Sequence, residues 1–303
     1  MTSAAVRAET RAQPIVRRKR RRPARLVLHL FLFATALIWL VPIGWAVFTS
    51  FRSYADTAIH GYVSIPHNLT LDNYRTAWEQ ADLPHYFLNS MIIAIPAIFF
   101  ILLFASSVAF VVSRLSYWFN VPMLIFFTAA NLLPPQIVLT PLYHIYLRIP
   151  LPTWLSDSGL VYDSYIGLIA INVAFQTGFC TFVLSNYMKT IPKSLNEAAR
   201  VDGASIARQF VGVVLPLCRP ALAALAVLQF TWIYNDFLWA IVLMKSGSKM
   251  PITSALNSLQ GLYFTNTNLI AAASLLVVIP TLVVFALLQR HFVSGLTLGA
   301  SKG

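Results

Sequence analysis

Acidic side chains are scarce: 10 Asp and Glu against 22 Lys and Arg in 303 residues. Carboxylate pairs for acid–base chemistry therefore have few places to stand, and Asp236 is the one acid inside a long apolar run. Cysteine is scarcer still. Cys180 and Cys218 show no C-x-x-C spacing, so neither a disulfide nor a metal site is expected of them. The six histidines lack the H-E-x-x-H spacing of a helical metal site; His60 and His67 read as residues of a loop, His85 and His144 as boundary residues. No G-x-S-x-G, G-x-G-x-x-G or G-x-x-x-x-G-K-S/T stretch occurs, which excludes a nucleophile elbow and a phosphate-cradling loop. The expectation is a chain with no catalytic residues, no metal and no cofactor of its own. If its work consumes ATP, the nucleotide and its magnesium belong on a partner subunit.

What is abundant is apolar surface: 58% of the residues are hydrophobic, 11% are charged and the mean hydropathy is +0.69. A soluble domain carries about 25% charged residues. A membrane-crossing helix needs about 20 mostly apolar residues, and six stretches qualify, at roughly Leu26–Phe48, Tyr86–Val112, Val121–Ile145, Tyr165–Tyr187, Leu217–Leu243 and Asn268–Leu288. A barrel would alternate in polarity, whereas the run from Met91 to Leu103 is apolar on every side. The fold class expected is an all-α membrane protein of six spans.

Six spans place both termini on one side, and the basic residues choose it. Nine of the 22 Lys and Arg precede Leu26, and most of the others fall on the same side of the expected topology, at Arg114, Lys189, Lys193, Arg200, Arg208, Arg219, Arg290 and Lys302. Both termini are expected in the cytoplasm, with the chain multi-pass in the membrane. Residues 1–25 read as a disordered basic arm, 26–290 as the transmembrane domain, and 291–303 as a cytoplasmic tail. Arg17 to Arg22 suits anionic lipid headgroups rather than nucleic acid. The first apolar run exceeds the 7–15 residues of a signal-peptide core, so it is expected to stay as an anchor.

Between the fourth and fifth spans lies a polar segment, 188–216, containing Glu197-Ala198-Ala199-Arg200-Val201-Asp202-Gly203 and then Val213-Val214-Leu215-Pro216. Glu197 to Val201 suits a helix, Pro192 ends the one before it, and Gly203 permits a left-handed turn. The pattern predicts a helix–turn–helix. It serves either as a projection that docks into another protein or as an amphipathic loop resting on headgroups.

These residues carry a resemblance. Glu197-Ala198-Ala199, Gly203 and Val213-x-Leu215-Pro216 resemble the EAA motif of ABC-importer permeases, with valine at 213 where isoleucine is more usual. Leu71–Tyr74, Asn89-Ser90, Leu133-Pro134-Pro135-Gln136, Asn235-Asp236-Phe237-Leu238-Trp239 and the tail from Phe292 extend the likeness to the carbohydrate-uptake, MalG-type permeases over nearly everything after the basic arm. The resemblance implies the type I importer fold in a bacterial inner membrane, a second homologous permease, two nucleotide-binding ATPase subunits and an extracytoplasmic solute-binding protein. It implies that Glu197, Ala198, Ala199, Asp202, Gly203, Leu215 and Pro216 couple to the ATPase. It also implies that Gly295, Gly299, Lys302 and Gly303 belong to a tail reaching between the ATPase subunits. The implied cargo is a sugar or oligosaccharide of the disaccharide class, with glycerol phosphate esters as the rival.

Inside the spans, Trp232, Asn235, Asp236 and Trp239 recur at helical spacing on the fifth, and Asn172, Phe175, Gln176 and Phe179 on the fourth. Each set reads two ways: as a translocation path, where hydroxyls meet polar groups and sugar faces stack on rings, or as structure, an aromatic belt with gating and interhelical hydrogen bonds. A channel or proton-coupled carrier would show more intramembrane carboxylates or paired broken helices. An intramembrane enzyme would show a Ser/His or metal constellation.

Overall fold

The computed structural model describes residues 22–259 and 266–297, and among these the chain is helical, with two isolated β-bridges and no strand. Gly295 lies in the last helix, while the basic arm before residue 22 and the tail residues Gly299, Lys302 and Gly303 lie outside the described residues. The chain divides into two units: α1 (Arg22–Ser50) as far as Trp45 in one, and everything from Ala46 onward in the other.

After α1 come two short helices, α2 (Tyr54–His60) and α3 (Asp72–Glu79), and then the long α4 (Leu83–Arg114). Next are α5 (Asn120–Leu132) and α6 (Pro135–Tyr146), which meet at 96°. The bend follows from Pro134-Pro135. Each proline pushes the residue before it out of the helical region, and Leu133 and Pro134 are extended with ψ of 127° and 128°. α7 (Tyr165–Thr190) runs unbroken and packs along α4. The seam on α4 is a stripe of small side chains, Ala94, Ala97, Ala105 and Ala109, all fully buried. Small residues let two apolar helices approach closely where lipid supplies no hydrophobic drive for association. Gly178 serves the same end where α7 meets α5: a Cβ there would stand 2.9 Å from the Phe127 carbonyl oxygen.

Beyond α7 come α8 (Ser194–Val201), α9 (Ile206–Gln209), a π-helical turn over Phe210–Val214, α10 (Leu215–Leu217), α11 (Arg219–Tyr234), α12 (Leu238–Leu243), α13 (Ile252–Ser258) and α14 (Thr267–Thr297). Among the described residues, four helices are long and apolar enough to cross a membrane, α1, α4, α7 and α14; the number rises to six if the two bent pairs, α5 with α6 and Ile206–Leu217 with α11, each make one span.

The stretch Leu217–Leu243, expected as one helical span, is broken into α11 and α12. α11 ends at Tyr234, because Asn235 and Asp236 compete for the backbone: Asn235 Nδ2 donates to the Thr231 carbonyl at 2.7 Å, and Asp236 Oδ1 accepts the Trp239 amide at 3.3 Å. The Asp236 carbonyl freed by the break takes a hydrogen bond from Thr253 Oγ1 at 2.7 Å.

Polar side chains tie the loops at the α7 N-terminus to those after α12. Asp163, in a left-handed conformation at φ 59°, accepts the amides of Lys245 and Ser246 at 2.9 Å each and the Ser246 hydroxyl at 2.5 Å. Asn89 donates to the Ser248 and Met250 carbonyls and accepts the Tyr165 hydroxyl at 2.7 Å, while Ser90 Oγ accepts the Ile252 amide.

Candidate functional site

The polar segment after α7 folds into two short helices joined by a turn. Ile191, preceding Pro192, is extended at ψ 131° and ends α7 at Thr190. Glu197 stands in the first turn of α8, where a negative charge suits the helix dipole. The helix closes on Gly203 at φ 75°: the Gly203 amide donates to the Arg200 carbonyl at 3.1 Å and the Ala204 amide to the Ala199 carbonyl at 2.9 Å. No atom lies within 4 Å of where a Cβ would sit on Gly203, so the left-handed dihedral, not space, asks for glycine. Ser205 then caps α9 by accepting the Arg208 amide.

The two helices hold each other through Gln209, whose Nε2 donates to the Ala204 carbonyl at 2.9 Å and whose Oε1 accepts from Asn196. Between them opens a cleft of about 510 Å³ whose lining includes Arg114, Lys193, Glu197, Arg200, Ser205 and Gln209. Glu197, Ala198 and Asp202 are exposed and Ala199 is half-buried. Leu195, Val201, Ile206 and Val211 are also exposed, Val201 at 87%. The polar element thus carries apolar side chains in the open.

Past α9 the helix does not stop as a simple loop. Pro216 offers no amide to the turn before it, and the ladder slips to a π turn in which the Leu215 amide reaches the Phe210 carbonyl. Leu215 and Pro216 thus sit at a register change, and the chain bends by 73° between Leu217 and Arg219 before α11.

One residue of this site escaped the sequence reading, which counted Arg114 only as a cytoplasmic charge. At the end of α4, Arg114 Nη2 donates to the Met188 carbonyl at 2.6 Å and the Ile191 carbonyl at 3.0 Å, capping the C-terminus of α7 where the polar segment leaves it. A basic residue in the last turn of a long apolar helix was the available signal.

The two polar faces of the spans meet each other. Phe175 packs on Trp239 and Phe179 on Trp232, with ring centroids 5.1 and 5.2 Å apart. Trp239 reaches α7 from beyond the break and is buried, so the shared helical face expected for Trp232, Asn235, Asp236 and Trp239 holds only as far as Asn235. Trp232 and Asn235 are exposed and Asp236 half-buried. Asn172 is buried and donates to the Leu168 carbonyl of its own helix, while Gln176 is half-buried. A cavity of about 170 Å³ beside Phe175 and Gly178 opens toward Asn131, which donates to the Phe175 carbonyl.

Residues 102–298 match the family described as the binding-protein-dependent transport system inner membrane component. A probable ABC transporter permease of Pyrococcus horikoshii is 31% identical over 89% of this chain and 95% of its own length. The melibiose/raffinose/stachyose import permease of Bacillus subtilis is 31% identical over 78% of this chain and 83% of its own. Among solved structures, a bacterial ABC transporter that imports the acidic polysaccharide alginate has a chain that superposes with a TM-score of 0.75 at 21% identity, covering 89% of this chain and 97% of that one. The match thus takes in α5 through α14, the π turn and the polar segment with them, and the chain belongs to the binding-protein-dependent inner-membrane components, the permease subunits of ABC transporters.

Proposed function

We propose that this permease carries a sugar or oligosaccharide into the cell, delivered by an extracytoplasmic binding protein and driven by ATPase subunits that dock on α8 and α9. The observation that carries the reading is the exposed helix–turn–helix between α7 and α11, with its open cleft and uncovered Leu195, Val201 and Ile206. In this reading α5–α6 and the segment running into α11 are the third and fifth of six spans, and both termini are cytoplasmic. A second homologous permease completes the pathway, and two nucleotide-binding subunits hold ATP and magnesium while this chain holds neither. Relatives named for melibiose, raffinose and stachyose, and for starch degradation products, support a carbohydrate cargo.

Alternating access follows from the mechanics. Closure of the ATPase dimer displaces α8 and α9, and the π turn and the bend at Cys218 pass that displacement to α11. The joined aromatic faces, Phe175 with Trp239 and Phe179 with Trp232, line or gate the path with Asn172, Gln176, Asn235 and Asp236 beside them. Gly295, Gly299, Lys302 and Gly303 are assigned to ATPase coupling on the resemblance of the tail sequence alone. The test is to extract the chain from its native membrane in mild detergent and identify its companions by mass spectrometry. A second permease, an ATPase and a solute-binding protein support the reading, and screening that binding protein against sugars and glycerol phosphate esters identifies the cargo. A chain that travels alone sinks it.

A further inference from the structure

From the geometry around α2, we propose that Asp56, His60 and His67 form a binding site for a borderline divalent metal ion of the Zn²⁺ class. The sequence showed only two loop histidines at a spacing no helix would turn into ligands; the fold brings them to one carboxylate. Asp56 and His60 are one helical turn apart on α2, and Gly61 at φ 81° reverses the chain so that His67 returns beside them. The Nδ1 atoms of His60 and His67 lie 3.0 and 3.4 Å from Asp56 Oδ1. A tetrahedral ion with bonds of about 2.0–2.1 Å holds its ligand atoms about 3.3 Å apart. The three ligand atoms all fall within 4.8 Å of one another.

The carboxylate is held for the purpose by its other oxygen. Arg52, 1% exposed, donates Nε to Asp56 Oδ2 at 2.5 Å, and its remaining N–H groups reach the carbonyls of Asp56, Gly61 and Ser64 and the Ser64 hydroxyl. The His67 amide also donates to Oδ2, at 3.4 Å. Oδ1 is left buried without a hydrogen bond, aimed at the two imidazoles. A buried acceptor left unmade costs free energy, and an ion bridging it to two neutral nitrogens removes that cost. His60 Nδ1 also lies 3.2 Å from the Asp56 carbonyl, so metal binding replaces that contact. The rings stack at 4.2 Å and are 39% and 62% exposed, which leaves an entry path and an open fourth position for water. Imidazole nitrogens with one carboxylate favour zinc, copper or nickel over calcium and magnesium.

The experiment uses the full-length chain in detergent, without a histidine tag and stripped with EDTA, titrated with ZnCl₂ against a chromophoric chelator. One saturable ion per chain is expected. His60→Ala and His67→Ala should each weaken binding at least about ten-fold, and His85→Ala should leave it unchanged. Saturating ZnCl₂ should raise the unfolding temperature of the wild type and not of the His60→Ala/His67→Ala double variant, whose metal-free unfolding should match the wild type because both rings are exposed. No saturable ion in the wild type, or zinc binding unchanged in the double variant, overturns the site.

Discussion

Removing the Asp163 carboxylate tests whether the loops outside the spans are held by one buried anchor. Asp163→Ala deletes three accepted hydrogen bonds, from the Lys245 and Ser246 amides and the Ser246 hydroxyl. Each contributes about 1 kcal/mol net, somewhat more for a charged acceptor, and alanine at φ 59° adds a left-handed strain of about 1 kcal/mol. The total is about 4–5 kcal/mol. Asp163→Asn should cost about 1 kcal/mol, since its carbonyl can still accept both amides, its NH₂ can donate to Ser246, and asparagine tolerates the left-handed region. The assay is thermal unfolding of the purified chain in one detergent. At about 2–4 °C per kcal/mol, alanine should lower the transition by about 8–20 °C and asparagine by a few.

The pH dependence carries a second check. Burial works to raise the Asp163 pKa, but the hydrogen bonds from Ser246 and the Lys245 amide, with Lys249 nearby, outweigh it and leave it below the usual carboxylate value. Stability from this group is therefore present above the unfolded carboxyl's pKa of about 3.9 and is lost as the pH falls through the lower folded value. The gap between wild type and alanine variant should narrow in acid. An alanine variant that unfolds with the wild type at neutral pH, or an asparagine variant as damaged as alanine, would refute the reasoning.

Gly203→Ala, with open space around the Cβ, should cost only the left-handed strain of about 1–2 kcal/mol and weaken coupled ATPase activity by roughly ten-fold or less. Glu197→Lys with Gly203→Pro should leave the chain in the membrane while abolishing uptake and releasing the ATPase on affinity purification; normal uptake would remove the coupling role. Gly178→Ala places a Cβ 2.9 Å from a backbone oxygen and should destabilise by about 1–3 kcal/mol in the same unfolding assay, whereas Gly212→Ala, with nothing within 4 Å, should not. Asn89→Leu removes the side-chain donor to the Met250 carbonyl and one of two to the Ser248 carbonyl, which His85 Nε2 also meets at 2.5 Å, and should loosen the loop after α12, read as faster amide hydrogen exchange over residues 246–252.

The sequence by itself determined the membrane class, the break at Pro134-Pro135, the end of α7 before Pro192 and the left-handed turn at Gly203. Each is local: hydropathy, a missing amide or a missing Cβ acts within a few residues and leaves its mark in the sequence. The break at Asn235 was misread as continuous helix, because the side chains that end α11 do so through hydrogen bonds to Thr231, Trp239 and Thr253, none of which an apolar run announces. Arg114 looked like one more cytoplasmic charge until α7 lay beside it. His67 meets Asp56 and His60 only because the chain reverses after α2, and Phe175 meets Trp239 only because helices distant in the chain pack on one another. The free energy of such meetings depends on distances between elements, which only the tertiary structure decides.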